Sequence, residues 1–215
     1  MLLAAGLATL VGCSTPGDSV DAPIDWSTVD GSPDRSACGL PPGNQDPPAS
    51  PPPVIWRTLD GVEFPRSPTL GPADTGVMIR CYAHSPSGAL LAAAGLRADE
   101  VRHGTSTVIV NRASITDEMR TAVEAGGIPD ASDLPHDATG ELIGYRFEAA
   151  LDDDVTVSLA WVSTTSGRTT SARIQLVWED QDWKVVMQPS KGMWSDVTTD
   201  GPLDDYVPWG RESRH

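Results

Sequence analysis

Between positions 155 and 161 every second residue is apolar: Val155, Val157, Leu159 and Trp161 share one face, with Thr156, Ser158 and Ala160 on the other. That period of two predicts a strand with one buried face. Ile174, Leu176 and Trp178 continue it, and four strand-like runs follow at hairpin spacing, 142–150, 155–165, 169–179 and 183–188. Ser166-Gly167-Arg168 and Glu179-Asp180-Gln181-Asp182 supply two turns, and the acidic run Asp152-Asp153-Asp154 sits at a third junction. Upstream, residues 54–64 read as a short strand or hairpin turning at Asp60-Gly61, with Trp56 as its anchor to the core.

The pattern changes to helical after position 85. Ser85 is placed to cap a helix that opens on Pro86, where the missing N–H costs nothing. Ala89 to Ala94 and Leu96 give it a close-packing apolar face, and it runs to about Arg102 before Gly104 ends it. Residues 107–111 (TVIVN) read as strand or buried loop. A second helix follows, capped by Thr116, with Asp117 and Glu118 in the first turn and Gly126 as terminator. Helices followed by an antiparallel meander predict an α+β domain, with helices on one face of a curved sheet of about four strands.

The N-terminus gives the address. An apolar run from Leu2 to Val11 leads into Gly12 and Cys13, the pattern of a bacterial lipoprotein signal whose cysteine is diacylated and becomes the new N-terminus. No Lys or Arg precedes Cys13, which is consistent with a start codon further upstream. The run is too short for a spanning helix of about 20 residues. A chance cysteine after a short apolar run is the alternative; against it, the next forty residues are rich in Ser, Pro, Gly and Asp, as a solvated tether requires. Seven prolines within 41–53 make its last part an extended spacer. The expected organisation is a signal at 1–12, a tether at 13–53, an α+β domain at 54–189 and an acidic, Trp-containing tail at 190–215.

Composition narrows the function. Thirty acidic against fifteen basic residues, a net charge of −15, exclude a basic nucleic-acid surface, so the membrane contact falls to the lipid. Setting Cys13 aside leaves Cys38 and Cys81, which in an exported chain read as a disulfide. His84, His103, His136 and His215 form no metal-ligand spacing, and no cofactor is expected. The Asp152–Asp154 run lacks the spacing of a calcium loop and reads as a solvated turn. There is no Gly-x-Ser-x-Gly elbow, Ser-x-x-Lys pair, phosphate loop or dinucleotide fingerprint. His84 beside Ser85 is a poor base–nucleophile pair, because Ser85 already serves as a helix cap. Tyr82, Tyr145 and Glu148 are the other candidates for chemistry inside the fold. Seven tryptophans suit carbohydrate stacking, yet Trp161, Trp178 and Trp183 fall in strand patterns and read as core. Trp194 and Trp209, with Tyr206, either clip the tail to the sheet or anchor a partner protein.

Residues 173–189 (RIQLVWEDQDWKVVMQP) resemble the closing hairpin of the nuclear-transport-factor-two-like, or cystatin-like, cone-shaped fold. Cys38-Gly39-Leu40, the stretch Tyr82-Ala83-His84-Ser85-Pro86-Ser87-Gly88-Ala89, and Tyr206-Val207-Pro208-Trp209-Gly210 together resemble a family of actinobacterial lipoproteins associated with integrative and conjugative elements. The resemblance implies a non-enzymatic scaffold or accessory of an envelope assembly, such as a conjugative transfer apparatus, at the outer face of the cell membrane. The alternative is a small-ligand or cell-wall-fragment binder using the mouth of the cone. Because two acyl chains anchor stably where one dissociates, Cys13→Ala is expected to move the protein from the membrane to the soluble fraction, read by fractionation and immunoblot.

Overall fold

The computed structural model describes residues 32–126, 140–187 and 192–211. The apolar leader, Cys13, the first part of the expected tether, Trp26, His136 and His215 lie outside the described residues. Two hairpins come first, β1 (Ile55–Leu59) with β2 (Val62–Arg66), and β3 (Asp74–Thr75) with β4 (Ile79–Arg80). Helices α1 (Pro86–His103) and α2 (Thr105–Arg112), strand β5 (Ala113–Ser114) and helix α3 (Asp117–Glu124) follow. The meander β6 (Gly140–Leu151), β7 (Asp154–Ser163), β8 (Thr169–Glu179) and β9 (Asp182–Val186) is the expected set of four strands. Three short strands enlarge it to seven: β5, β10 (Ser195–Thr199) and β11 (Val207–Pro208). The sheet order is β11-β6-β7-β8-β9-β5, with β10 on the other part of β8's edge. Pairing is antiparallel except for β5 against β9. The protein is therefore a mixed α+β fold.

Local chemistry accounts for most boundaries. The Ser85 hydroxyl accepts from the Gly88 N–H at 3.1 Å, and Thr116 caps α3 by accepting from Met119 at 3.3 Å. Asp60 and Gly61 both hold positive φ, 52° and 83°, as a tight hairpin turn demands. Residues 107–111 depart from expectation: they lie in α2. Their β-branched side chains favour a strand only weakly, and long-range contacts override that preference. Buried Arg112, at the end of α2, donates to the Ile79 and Trp183 carbonyls and so fixes the helix over the edge of the sheet.

Helix α1 is apolar all round from Gly88 to Leu96, and thirteen of its eighteen residues are buried. One side meets β7, β8 and β9; another meets β2 and β4. Glycine permits the close approach. A Cβ on Gly88 would lie 2.0 Å from the Ala83 carbonyl oxygen, and one on Gly95 would lie 1.9 Å from the Tyr82 hydroxyl. Near its C-terminal end α1 carries two buried carboxylates. Asp99 accepts from the Ile79 N–H at 2.9 Å and from Arg102 at 3.0 Å, with Arg112 at 3.7 Å. Burial pushes its carboxyl above the ordinary range, against the pull of the Ile79 N–H and the two arginines.

The expected domain limits of 54–189 are too narrow at both ends. Residues 32–48 form a strap across the domain, although this stretch reads as tether. The Trp178 indole donates to the Pro33 carbonyl at 3.0 Å, the Ala37 N–H to Gln181 at 2.9 Å, and the Gly43 N–H to His84 at 3.2 Å. The Cys38–Cys81 disulfide ties the strap down, as the cysteine count predicts. Most strap side chains face water while its backbone groups find partners, so a solvated composition hides a bound segment. The tail is likewise part of the domain. Asp182 completes the arrangement: its carboxylate accepts from Cys81 and Tyr82 at 2.9 and 3.1 Å, holding Cys81 at a φ of 68°.

Overpacking at the α1 crossing is expected to cost about 1–3 kcal/mol in Gly95→Ala, despite alanine's better helix propensity. Tyr82→Phe in the same chain should recover part of that loss, a coupling read from a double-mutant cycle by urea denaturation. Asp99→Ala leaves the buried Ile79 N–H without its acceptor, takes one carboxylate from Arg102 and removes the nearer of Arg112's two carboxylate neighbours. It is expected to lower stability by about 3–5 kcal/mol in the same assay.

Candidate functional site

A groove of about 390 Å³ opens where the first hairpin, α1 and the edge of the meander meet. The hairpin contributes Trp56, Thr58, Val62, Glu63 and Pro65; alternation along β1 puts Trp56 and Thr58 on one face. Ala94, Ala98 and Val101 of α1 form an apolar wall, and Arg97 projects from the same stretch of helix. Gly140, Glu141 and Leu142 from the start of β6 and Leu159 and Trp161 from β7 close the other side. Arg211, in the tail, completes the rim beside Thr164.

The walls are held from behind. Trp56 packs at 5.6 Å against Trp209, which meets Tyr145 edge-on at 5.5 Å. Trp161 meets Trp194 edge-on at 5.8 Å, and the Arg97 guanidinium lies 5.5 Å from the Trp161 ring centre. Each arginine of the groove is paired with a carboxylate, Arg97 with Glu100 at 2.8 Å and Arg211 with Glu63. Among the described residues the indole N–H groups of Trp161 and Trp209 find no acceptor. The groove thus offers an aromatic and aliphatic floor under a rim of carboxylates, guanidinium groups and hydroxyls. Such a surface recognises a small organic molecule by stacking and hydrogen bonding.

The residues singled out from sequence are scattered. Trp194 and Trp209 are not surface anchors for a partner: they are 1% and 3% exposed. The Trp194 indole donates to Glu100 at 3.0 Å and the Trp209 backbone N–H to the Ile143 carbonyl at 3.0 Å, so both clip the tail to the domain. Tyr206 is half-buried with the Arg146 guanidinium 5.1 Å from its ring. His84 is buried and stacked at 4.4 Å on Trp178, its ring nitrogens 2.8 Å from Asp153 and 3.4 Å from Asp34. That places it under the strap, away from Ser85's capping role. Asp153 also accepts from the Trp178 N–H through its carbonyl, and Asp154 takes the Gln175 amide. The acidic run is a turn whose members serve separate partners.

Tyr82, Tyr145 and Glu148 do not converge. Tyr82 is buried beneath α1, and burial raises its phenol far above the usual range despite the attraction of Arg112. Tyr145 points to the core side and donates to the Pro48 carbonyl at 3.4 Å, its phenol pushed up to about 12 by burial. Glu148 lies on the opposite face with Ser158 and Arg146. Burial would raise its carboxyl, but hydrogen bonds from those two residues outweigh that and hold it below the ordinary range.

Glu63, Arg97, Glu141 and Arg211 carry no local motif and escape sequence reasoning. The one usable signal is the half-polar hairpin face bearing Trp56, read from sequence only as a core anchor. Among the described residues no group of three or more His, Cys, Asp or Glu is placed to hold a metal, and no helix is long and apolar enough to cross a membrane. No curated protein and no solved structure matches the chain. Residues 19–208 match the family model of DUF8175, a domain of unknown function, and the chain belongs to that family.

Proposed function

We propose that this protein is a non-enzymatic binding protein, lipid-tethered through Cys13 at the outer face of the cell membrane, that takes a small ligand in the groove between α1, the first hairpin and the meander. One observation carries the reading: a preformed apolar floor, with Trp56 at its edge, lies beside two arginines that are each already paired with a carboxylate. Glu63 and Glu100 are each held by an arginine, which suits fixed hydrogen-bonding groups better than a proton-transferring pair. The lipoprotein pattern at Gly12-Cys13 supports the address, and the disulfide agrees with an oxidising compartment. A scaffold role, implied by the resemblance to conjugation-associated lipoproteins, would use Trp194 and Trp209 as its anchors; their burial shifts the weight to the groove.

The test is an indole N–H NMR titration of the full chain with a panel of neutral, cationic and anionic small molecules. Saturable shifts of the Trp56 and Trp161 resonances are expected, with Trp183, buried beneath the strap side of the sheet, unmoved. If no member shifts Trp56 or Trp161 at millimolar concentration, the binding reading fails.

A further inference from the structure

Resting on the reading of the groove as a ligand site, we infer that its ligand is an uncharged saccharide whose apolar ring face lies on Trp56 and whose hydroxyls meet Glu63, Glu141 and Arg97. The rim carries two guanidinium groups, Arg97 and Arg211, and two carboxylates, Glu63 and Glu141. An anionic ligand would need an arginine without a carboxylate partner. Arg97 is bound to Glu100 and Arg211 to Glu63, and the chain's charge of −15 adds long-range repulsion. A cationic ligand gains from that charge at long range, but at the groove it meets the guanidinium groups of Arg97 and Arg211, and Arg97 already covers the Trp161 ring. A wholly apolar ligand would take the charged rim, ion pairs included, out of water and offer it no hydrogen bonds in return, which is costly.

A pyranose ring satisfies each term. Its C–H face matches an indole, and the floor of Val62, Ala98 and Leu142 extends that surface. Its hydroxyls both donate and accept, so they bridge carboxylates and guanidinium groups without displacing the existing pairs. Trp56 is suited to be the platform: Trp209 supports it at 5.6 Å, and Trp209 is itself pinned by a backbone bond to Ile143. A pre-positioned platform loses little freedom on binding.

The test uses the oxidised full chain carrying Cys13→Ser, titrated by indole N–H NMR and calorimetry, in mildly acidic buffer that keeps glucosamine amines protonated, with three β-1,4-linked trisaccharides that differ in charge: neutral tri-N-acetylchitotriose, cationic chitotriose and anionic triglucuronate. The neutral sugar is expected to shift Trp56 and to bind at least about tenfold more tightly than either charged sugar, a difference of about 1.4 kcal/mol. Trp56→Ala should weaken it roughly tenfold, the loss of an aromatic face. Glu141→Ala, at an exposed position that leaves the fold untouched, should weaken it about fivefold through one lost acceptor. Co-sedimentation with purified cell-wall sacculi assigns the saccharide to the wall glycan; binding of the free sugar without co-sedimentation assigns it to a soluble oligosaccharide. Equal or tighter binding of a charged trisaccharide, or neutral binding indifferent to both substitutions, overturns the inference. If all three sugars leave Trp56 unmoved while another panel compound shifts it, the saccharide assignment falls and the groove reading stands. If nothing shifts Trp56, both fall.

Discussion

From Gly88 to Leu96 helix α1 has no polar side chain to turn to water, and the rest of the molecule is arranged around that constraint. A helix made of Ala, Leu and Gly must be enclosed, so the sheet takes one side and the two hairpins the other. Its small residues set the spacing: Gly88 and Gly95 bring the helix against the Ala83 carbonyl and Tyr82. The two buried carboxylates then become attachment points. Asp99 holds the second hairpin through the Ile79 N–H, and Glu100 holds the tail through the Trp194 indole. One helix thus organises segments from both ends of the described chain.

The strap and the tail show how an acidic, proline-rich chain completes a domain without burying many apolar side chains. Their contribution is made through backbone bonds, two indoles and one disulfide. The strap crosses the β8–β9 turn and the start of α1, where Gln181 and His84 supply carbonyls. Trp209 binds beside β6 and props Trp56 from behind. The groove's aromatic wall therefore depends on a segment more than 150 positions away in sequence. A site assembled from a hairpin, a helix, the meander and the tail forms only once the whole domain is closed, which couples its shape to global stability.

Local sequence rules determined the elements whose causes are local. The caps Ser85 and Thr116, the Asp60-Gly61 turn, and the alternation of Val155, Val157, Leu159 and Trp161 act within a few residues, and the structure agrees with them. The cysteine pairing was legible because, with Cys13 read as the lipid anchor, the two cysteines that remain have only each other. The stretch 107–111 misleads because its β-branched residues favour a strand while Arg112 fixes a helix through carbonyls 33 and 71 positions away. β10 is mostly polar and β11 is only two residues long, and their existence rests on pairing with β8 and β6.

By itself, then, the sequence determined the class of fold, the helix starts, the hairpin turns and the disulfide, and it set an expected address in Gly12-Cys13. Tertiary structure alone decided that 32–48 is a strap, that Trp194 and Trp209 face inward, and that Trp56, Arg97, Glu141 and Arg211 share a groove. The reason is physical: propensity, capping and hydrophobic period are properties of neighbours along the chain. The partners of Trp194, Trp209 and Arg211 are chosen by the closed fold, and nothing in their own flanking residues encodes them.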